Sequence, residues 1–318
     1  MKKLVIMAMC LATGAFYAQT PQANCDDCSF TQMTTGPRGA VDNTSDITQN
    51  GTLNTANAYQ IGNGNYSIID QDGKNMGVGN GGDSNNSRVY QEGTRNHSDV
   101  KQHGDRNTGV VEQRGYENYA KQDVGVGYSE DNVTSAFQTG TLNTSFQKQR
   151  YDNNTATVTQ VGTGLFGLGA NYAEQDQSSM ANGVAGSVAE IDQTGSFNEA
   201  KQKQRGSNND AYSLQNGIGN TSAEDQTSVA GSAYSNTSTV DQTFVGTPWL
   251  GSNLACVTQA SVAGNNTSSI TQTNVAGVNA WTPGNSATVT QTANLSSNMS
   301  TVMQSGGGNQ ACVEQIGN

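Results

Sequence analysis

The stretch Asn85–Gly115, NNSRVYQEGTRNHSDVKQHGDRNTGVVEQRG, decides the fold. Gln91, Gln102 and Gln113 stand eleven residues apart, each with an asparagine six residues before it (Asn85, Asn96, Asn107) and a glycine two residues after it (Gly93, Gly104, Gly115). The slot two after each Asn is tiny (Ser87, Ser98, Gly109), and the slot four after it is β-branched (Val89, Val100, Val111). Alternation over seven residues, closed by a Gly-bearing turn, reads as one strand and one turn. Successive side chains of a strand point to opposite faces, so Asn, the small residue, Val and Gln share one face and the odd slots the other.

The same unit recurs along nearly the whole chain. Its Asn and Gln fall at Asn43 and Gln49, Asn54 and Gln60, Asn65 and Gln71, and then at the three pairs of the opening stretch. Further copies include Asn154 and Gln160, Asn209 and Gln215, Asn253 and Gln259, Asn285 and Gln291, and Asn309 and Gln315. In all there are 21 units, and the slot after next to Asn holds only Ala, Ser, Thr or Gly. Two units depart: Ser187 stands for Asn ahead of Gln193, and Val124 stands for Gln after Asn118. Insertions such as TGLFGLGA and TNVAGVNAWTPG fall between a Gln and the next Asn, never inside the seven-residue unit. Pro248 and Pro283 sit in them, where they break no ladder bond. A stacked solenoid tolerates insertions confined to its turns.

The opening MKKLVIMAMCLATGAFYAQT pairs Lys2 and Lys3 with an apolar run ending near Tyr17, the pattern of a secretory leader cleaved after Ala18. The chain thus divides into a leader (1–18), a repeat-free flexible segment (19–42) and a solenoid (43–318). Hydrophobic residues make up 33% and charged residues 13%, which fits neither a large oily core nor a highly charged coil. The formal charge of −11 becomes −13 without the two leader lysines, which disfavours nucleic acid and anionic lipid as partners. No later segment is apolar enough to enter a membrane.

Beyond Cys10 in the leader, the chain has Cys25, Cys28, Cys256 and Cys312, an even set for which an oxidising compartment permits disulfides. Cys256 and Cys312 occupy outward slots, and the expectation is that the N-terminal pair tethers to such a cysteine, within one molecule or between two. C-D-D-C has no second CxxC or paired His, so neither a metal nor another cofactor is expected. Gly77, Gly79 and Gly82 match G-x-G-x-x-G, but Asn and Asp flank them where a dinucleotide site needs a strand and a helix, so a long turn is expected. Asp70, Asp99, Asp192 and Asp241 lie on outward slots without a common arginine, and His97 and His103 read as surface residues. No catalytic constellation emerges, and an enzyme is not expected.

Two units close a flat coil of 22 residues, and stacked coils give two facing parallel sheets, an all-β solenoid. Such an interior buries little apolar surface. A buried amide is costly unless paired, so identical amides at one height must bond up and down the stack. Gln122, Gln147, Gln175 and Gln202 take the usual Val or Ile slot, as a second partial ladder or as weaker layers. The outer slots, with Tyr59, Tyr90, Phe137 and scattered charges, read as a solvated face. No terminal cap is recognisable after Gln315, so the end strands invite another copy, a contact that does not close.

The pattern N-x-A-x-x-x-Q-x-G-x-x-N, as in NSATVTQ (285–291) and NTGVVEQRGYEN (107–118), resembles the curlin repeat over roughly 43–315. The resemblance implies a functional amyloid, a curli-type fibre subunit polymerising head to tail in the biofilm matrix at the bacterial surface. It further implies a nucleator subunit and an outer-membrane secretion pore as partners, a role in adhesion and aggregation, and inward ladder residues such as Asn96, Gln102, Asn107 and Gln113. A non-polymerising solenoid adhesin or stalk stays open as the alternative.

Overall fold

A computed structural model of the chain describes residues 42–51, 53–72, 84–125, 129–162, 170–245, 252–275 and 284–317. The leader, nearly all of segment 19–42 with Cys25 and Cys28, the Gly77–Gly82 stretch, Pro248 and Pro283 lie outside the described residues.

Among the described residues every regular element is a strand, as the alternating pattern requires. The first seven are β1 (Thr44–Asn50), β2 (Thr55–Asn63), β3 (Tyr66–Asp72), β4 (Asn86–Thr94), β5 (His97–His103), β6 (Thr108–Tyr116) and β7 (Tyr119–Val124). Then come β8 (Val133–Thr141), β9 (Thr144–Arg150), β10 (Thr155–Gly162), β11 (Tyr172–Ser178), β12 (Val188–Ser196), β13 (Glu199–Arg205) and β14 (Asn209–Ile218). The last are β15 (Thr221–Ser228), β16 (Asn236–Val245), β17 (Leu254–Ser261), β18 (Asn266–Val275), β19 (Ser286–Ala293), β20 (Asn298–Ser305) and β21 (Gln310–Gly317).

Odd-numbered strands form one 11-stranded sheet in chain order and even-numbered strands a 10-stranded one. All pairings are parallel, and Thr44 sits against Tyr66, one 22-residue coil later. The chain therefore climbs as a two-strand coil, a β-solenoid. The register holds unit against unit even where insertions lengthen the turn: Gln160 pairs with Gln193 and Gln259 with Gln291. With strands about 4.8 Å apart, the ten steps of the larger sheet span roughly 48 Å.

Inward slots alternate with outward ones, as β13 shows in its alternation of half-buried and buried residues. Three apolar clusters fill parts of the interior, the middle and smallest made of Val158, Ala173, Ile191 and Ala200. The N-terminal one holds Ile69, Val89, Val100, Val111, Ala120 and Ala136; the C-terminal one holds Val240, Val257, Ile270, Val289 and Val302 with two alanines. Around these clusters the interior is largely polar.

The short turns combine two left-handed residues, as in the pairs Gly93 and Arg95, Gly115 and Glu117, and Gly195 and Phe197. Gly93 and Gly115 have φ of 115° and 122°, and a Cβ on Gly115 would stand 2.0 Å from the Gly140 carbonyl oxygen of the next coil. The residue just before Asn also takes positive φ, as at Arg95, Glu117, Leu142 and Phe197. These side chains have no preference for that region. What holds them is the following Asn: Asn96 Nδ2 donates to the Glu92 carbonyl at 3.1 Å and Asn118 Nδ2 to the Arg114 carbonyl at 3.3 Å, pinning the corner.

Candidate functional site: the amide ladders and the two end faces

The repeated glutamines stand directly above one another. In the even sheet Gln60, Gln91, Gln113, Gln138, Gln160, Gln193, Gln215, Gln242, Gln272 and Gln304 form one series, each Nε2 donating to the next Oε1 at 2.7–2.9 Å. In the odd sheet Gln49 donates to Gln71 and Gln71 to Gln102. The series resumes at Gln149 and runs through Gln177, Gln204, Gln226, Gln259 and Gln291 to Gln315. The second Nε2 hydrogen crosses to the other sheet: Gln91 donates to the Tyr66 carbonyl at 3.0 Å and Gln113 to the His97 carbonyl at 2.9 Å. One side chain thus welds both the stack and the two sheets, its polar atoms satisfied out of water.

Asparagines do the same in the opposite sense. Asn96 Nδ2 donates back to Asn65 Oδ1 at 3.1 Å, Asn118 to Asn96 at 3.0 Å and Asn309 to Asn285 at 3.0 Å. The backbone N–H of Asn107 donates to Asn85 Oδ1, and that of Asn85 to Asn54 Oδ1, both at 3.0 Å. Asn65 receives Asn43 Oδ1 on its backbone N–H in the same way. Asn154 Nδ2 reaches Asn132 Oδ1 at 3.2 Å, and Asn253 Nδ2 reaches Asn220 Oδ1 at 3.1 Å. Ser187 substitutes its hydroxyl, which accepts from Asn209 Nδ2 at 3.3 Å.

The ladders therefore have a direction. Gln amides donate toward the C-terminal end and Asn amides toward the N-terminal end. At β20 and β21 the series stop with Gln donors and Asn acceptors; at β1 and β2 they stop with Asn donors and Gln acceptors. The two end faces are complementary to each other and not to themselves. Among the described residues both are exposed: Ile47, on an inward slot of β1, is 46% exposed, all of β1 is exposed, and β21 alternates exposed with half-buried residues up to Ile316.

Gln122, Gln147, Gln175 and Gln202 form a second ladder at 2.9–3.0 Å that ends on Glu224 Oε1. Glu224 is fully buried, and the Ser238 hydroxyl is hydrogen-bonded to its Oε2. Burial pushes its carboxyl up to about 8, against the pull of the Ser238 and Gln202 hydrogen bonds. A protonated carboxyl has one acceptor and one donor oxygen, so it continues an amide ladder as a glutamine would. Two ladder oxygens lack a donor, Gln122 Oε1 and Gln149 Oε1. Each faces a valine in the preceding coil, Val100 and Val124 respectively.

The outer face differs from expectation in two ways. His97 is no surface residue: it is 4% exposed, edge-on between Tyr66 and Tyr119 with ring centroids 5.0 and 4.9 Å away. That column continues through Phe146 to Tyr172. The charges are not scattered either. Asp70, Lys101, Asp123, Lys148, Asp176, Lys203 and Asp225 succeed one another at one height of the odd sheet, alternating in sign. At its end Lys203 Nζ stands 3.2 Å from Asp225 Oδ2. Elsewhere Arg106 clasps Asp131 and Glu130 at 2.8 and 2.6 Å, and its hydrogen bond holds the Asp131 carboxyl below the usual range.

Among the described residues no three His, Cys, Asp or Glu side chains gather as a metal site, and no helix is long and apolar enough to cross a membrane. Asp99, Asp192 and Asp241 lie on outward faces of different strands.

Polar-cored, parallel and directional, this is a β-solenoid held by stacked amides. Residues 42–73 match the curlin associated repeat. That match supports a curlin-repeat family for the chain, and the strand-and-turn unit matched there is the one stacked through the described residues of the rod. No protein of curated function matches the chain.

Proposed function

We propose that this protein is the subunit of an extracellular curli-type fibre, exported and then polymerised head to tail. The carrying observation is the opposed direction of the two ladders. A second copy placed N-terminal face to C-terminal face meets donors with acceptors in both series. A head-to-head contact would set like against like. Curlin-repeat proteins are structural fibre proteins, and the open end strands supply the unpaired backbone groups that elongation uses. The secretory leader, the biofilm matrix, adhesion and aggregation, a nucleator and a secretion pore belong to this reading through the family.

A rod of 21 strands contains ten and a half coils. A flush copy therefore lays its β1 on β20 and its β2 on β21, turned by half a revolution. The test is Glu314→Pro. Glu314 faces outward on the last strand, and its backbone N–H points to the open side, since Asn309, on alternate residues from it, receives Ser286 of β19. The expected outcome is that purified mature wild type forms filaments with a meridional spacing near 4.8 Å, while the proline variant folds but does not extend from its C-terminal face. Wild-type protein that remains monomeric under electron microscopy would favour the adhesin stalk and refute the proposal.

A further inference from the structure

The inward slot four after Asn is filled in blocks along the rod. In each of the first six strands it is apolar, from Ile47 on β1 to Val111 on β6, and in each of the last six it is again apolar, from Val240 on β16 to Val313 on β21. On β7–β15 between them, every odd strand carries an amide or a carboxyl there, from Gln122 to Glu224. The two larger apolar clusters therefore stand at opposite ends of the rod, one around Ile69 and Val100, the other around Ile270 and Val289.

Inside the rod such side chains are sealed: Ile69, Val100, Val240 and Ile270 are fully buried. At the end strands the seal is missing. Ile47 is 46% exposed, while Ala56 and Ala58 at one end and Ala311 and Val313 at the other are only partly buried against their clusters. On the outer face Ile61 and Ile316, each seven residues after its Asn, are exposed as well. With β1 of a second copy on β20 and its β2 on β21, the slot-on-slot register of the rod continues. It sets Ile47 on Val302, Ala58 on Val313, Ala56 on Ala311 and Ile61 on Ile316. Each of these uncovered apolar side chains then meets another, as Ile69 meets Val100 inside the rod.

We infer that the two end clusters are halves of one apolar core, which closes only when a second copy of the chain seats head to tail. The core spans the last six strands of one copy and the first six of the next. The inference rests on the head-to-tail reading and adds the driving force of that contact. The amide ladders set register and polarity, but their end groups give up water to bond across the junction and gain little on balance. The uncovered aliphatic side chains gain by leaving water, and that gain weakens on cooling.

Filaments of mature wild-type protein and two variants test this. Ile47→Ser should raise the critical concentration for polymerisation about tenfold, because the uncovered part of the side chain no longer gains by burial. Ile47→Val should raise it less, and the wild-type value should rise on cooling. The urea midpoint of the soluble chain should change little in either variant, since Ile47 is already half uncovered. In filaments co-assembled from chains carbon-13-labelled at isoleucine and chains labelled at valine, an Ile–Val contact in solid-state NMR arises only between copies. One is expected in wild type and is lost in Ile47→Val. Wild-type protein that stays monomeric overturns the head-to-tail reading and this inference with it. Wild-type filaments that lack the contact, or an Ile47→Ser critical concentration equal to that of wild type, overturn the inference alone and leave the ladders to hold the junction.

Discussion

The stretch from β7 to β15 and the stretch from β16 to β21 share one backbone and fill it with different chemistry. In the odd sheet, the slot four after Asn holds Gln122, Gln147, Gln175, Gln202 and Glu224 in the first stretch, and Val257, Val289 and Val313 in the second. Either filling works as long as each residue meets its own kind above and below. Amides find hydrogen-bond partners and valines find close packing. The difficulty arises at the seams. Gln122 Oε1 is orphaned above Val100, and Gln149 Oε1 above Val124. Glu224 abuts Val257 and carries the most displaced carboxyl pKa. Continuity along the column, rather than polarity itself, decides whether a buried amide stabilises this rod.

Breaking what both stretches share should have the largest effect. Gly115→Ala puts a Cβ into the Gly140 carbonyl and asks alanine for a φ of 122°, so the coil spacing must open. Left-handed strain and overpacking together are expected to cost about 3–5 kcal/mol, read as a fall in the urea midpoint.

Glu224→Gln sharpens the comparison by completing the seam. The folded carboxyl holds its proton to about pH 8, while the unfolded one releases it near the ordinary 4.5. The wild-type contribution is therefore full below pH 4.5, declines as pH rises from 4.5 to 8, and is flat above. Glutamine removes that slope. The variant should match wild type at pH 4 and exceed it by about 3 kcal/mol at pH 7, in paired unfolding curves.

Val124→Gln mends the break in the odd-sheet ladder and gives Gln149 Oε1 its donor. A gain of about 1–2 kcal/mol is expected, with slower hydrogen exchange in β7 and β9. Lys148→Glu is the mildest change. It breaks the alternation with Asp123 and Asp176 at the surface, should cost under about 1 kcal/mol, and should lose its effect in high salt.

Much of this architecture is legible in the sequence because each unit carries its own phase. The eleven-residue recurrence of Asn and Gln implies the two-strand coil, and identical residues at identical heights imply ladders. Other features need the register. His97 meets Tyr66 and Tyr119, 31 and 22 residues away, and the charge column unites residues separated by unequal turn insertions, so linear reading sees a scatter. The left-handed corners before Asn were hidden for another reason. Arg95, Leu142 and Phe197 bear no turn preference, and the conformation is imposed by the asparagine that follows. The direction of the ladders was likewise invisible, since an amide's identity does not say which way it donates.

That direction is the centre of the account, and electron cryomicroscopy of filaments grown from purified mature protein tests it most directly. The prediction is a single polar filament with an axial rise of about 50 Å per subunit and a rotation near 180°, strand spacing unbroken across each junction. Junctions that join like ends, or rods associated side by side with their end strands exposed, would contradict it.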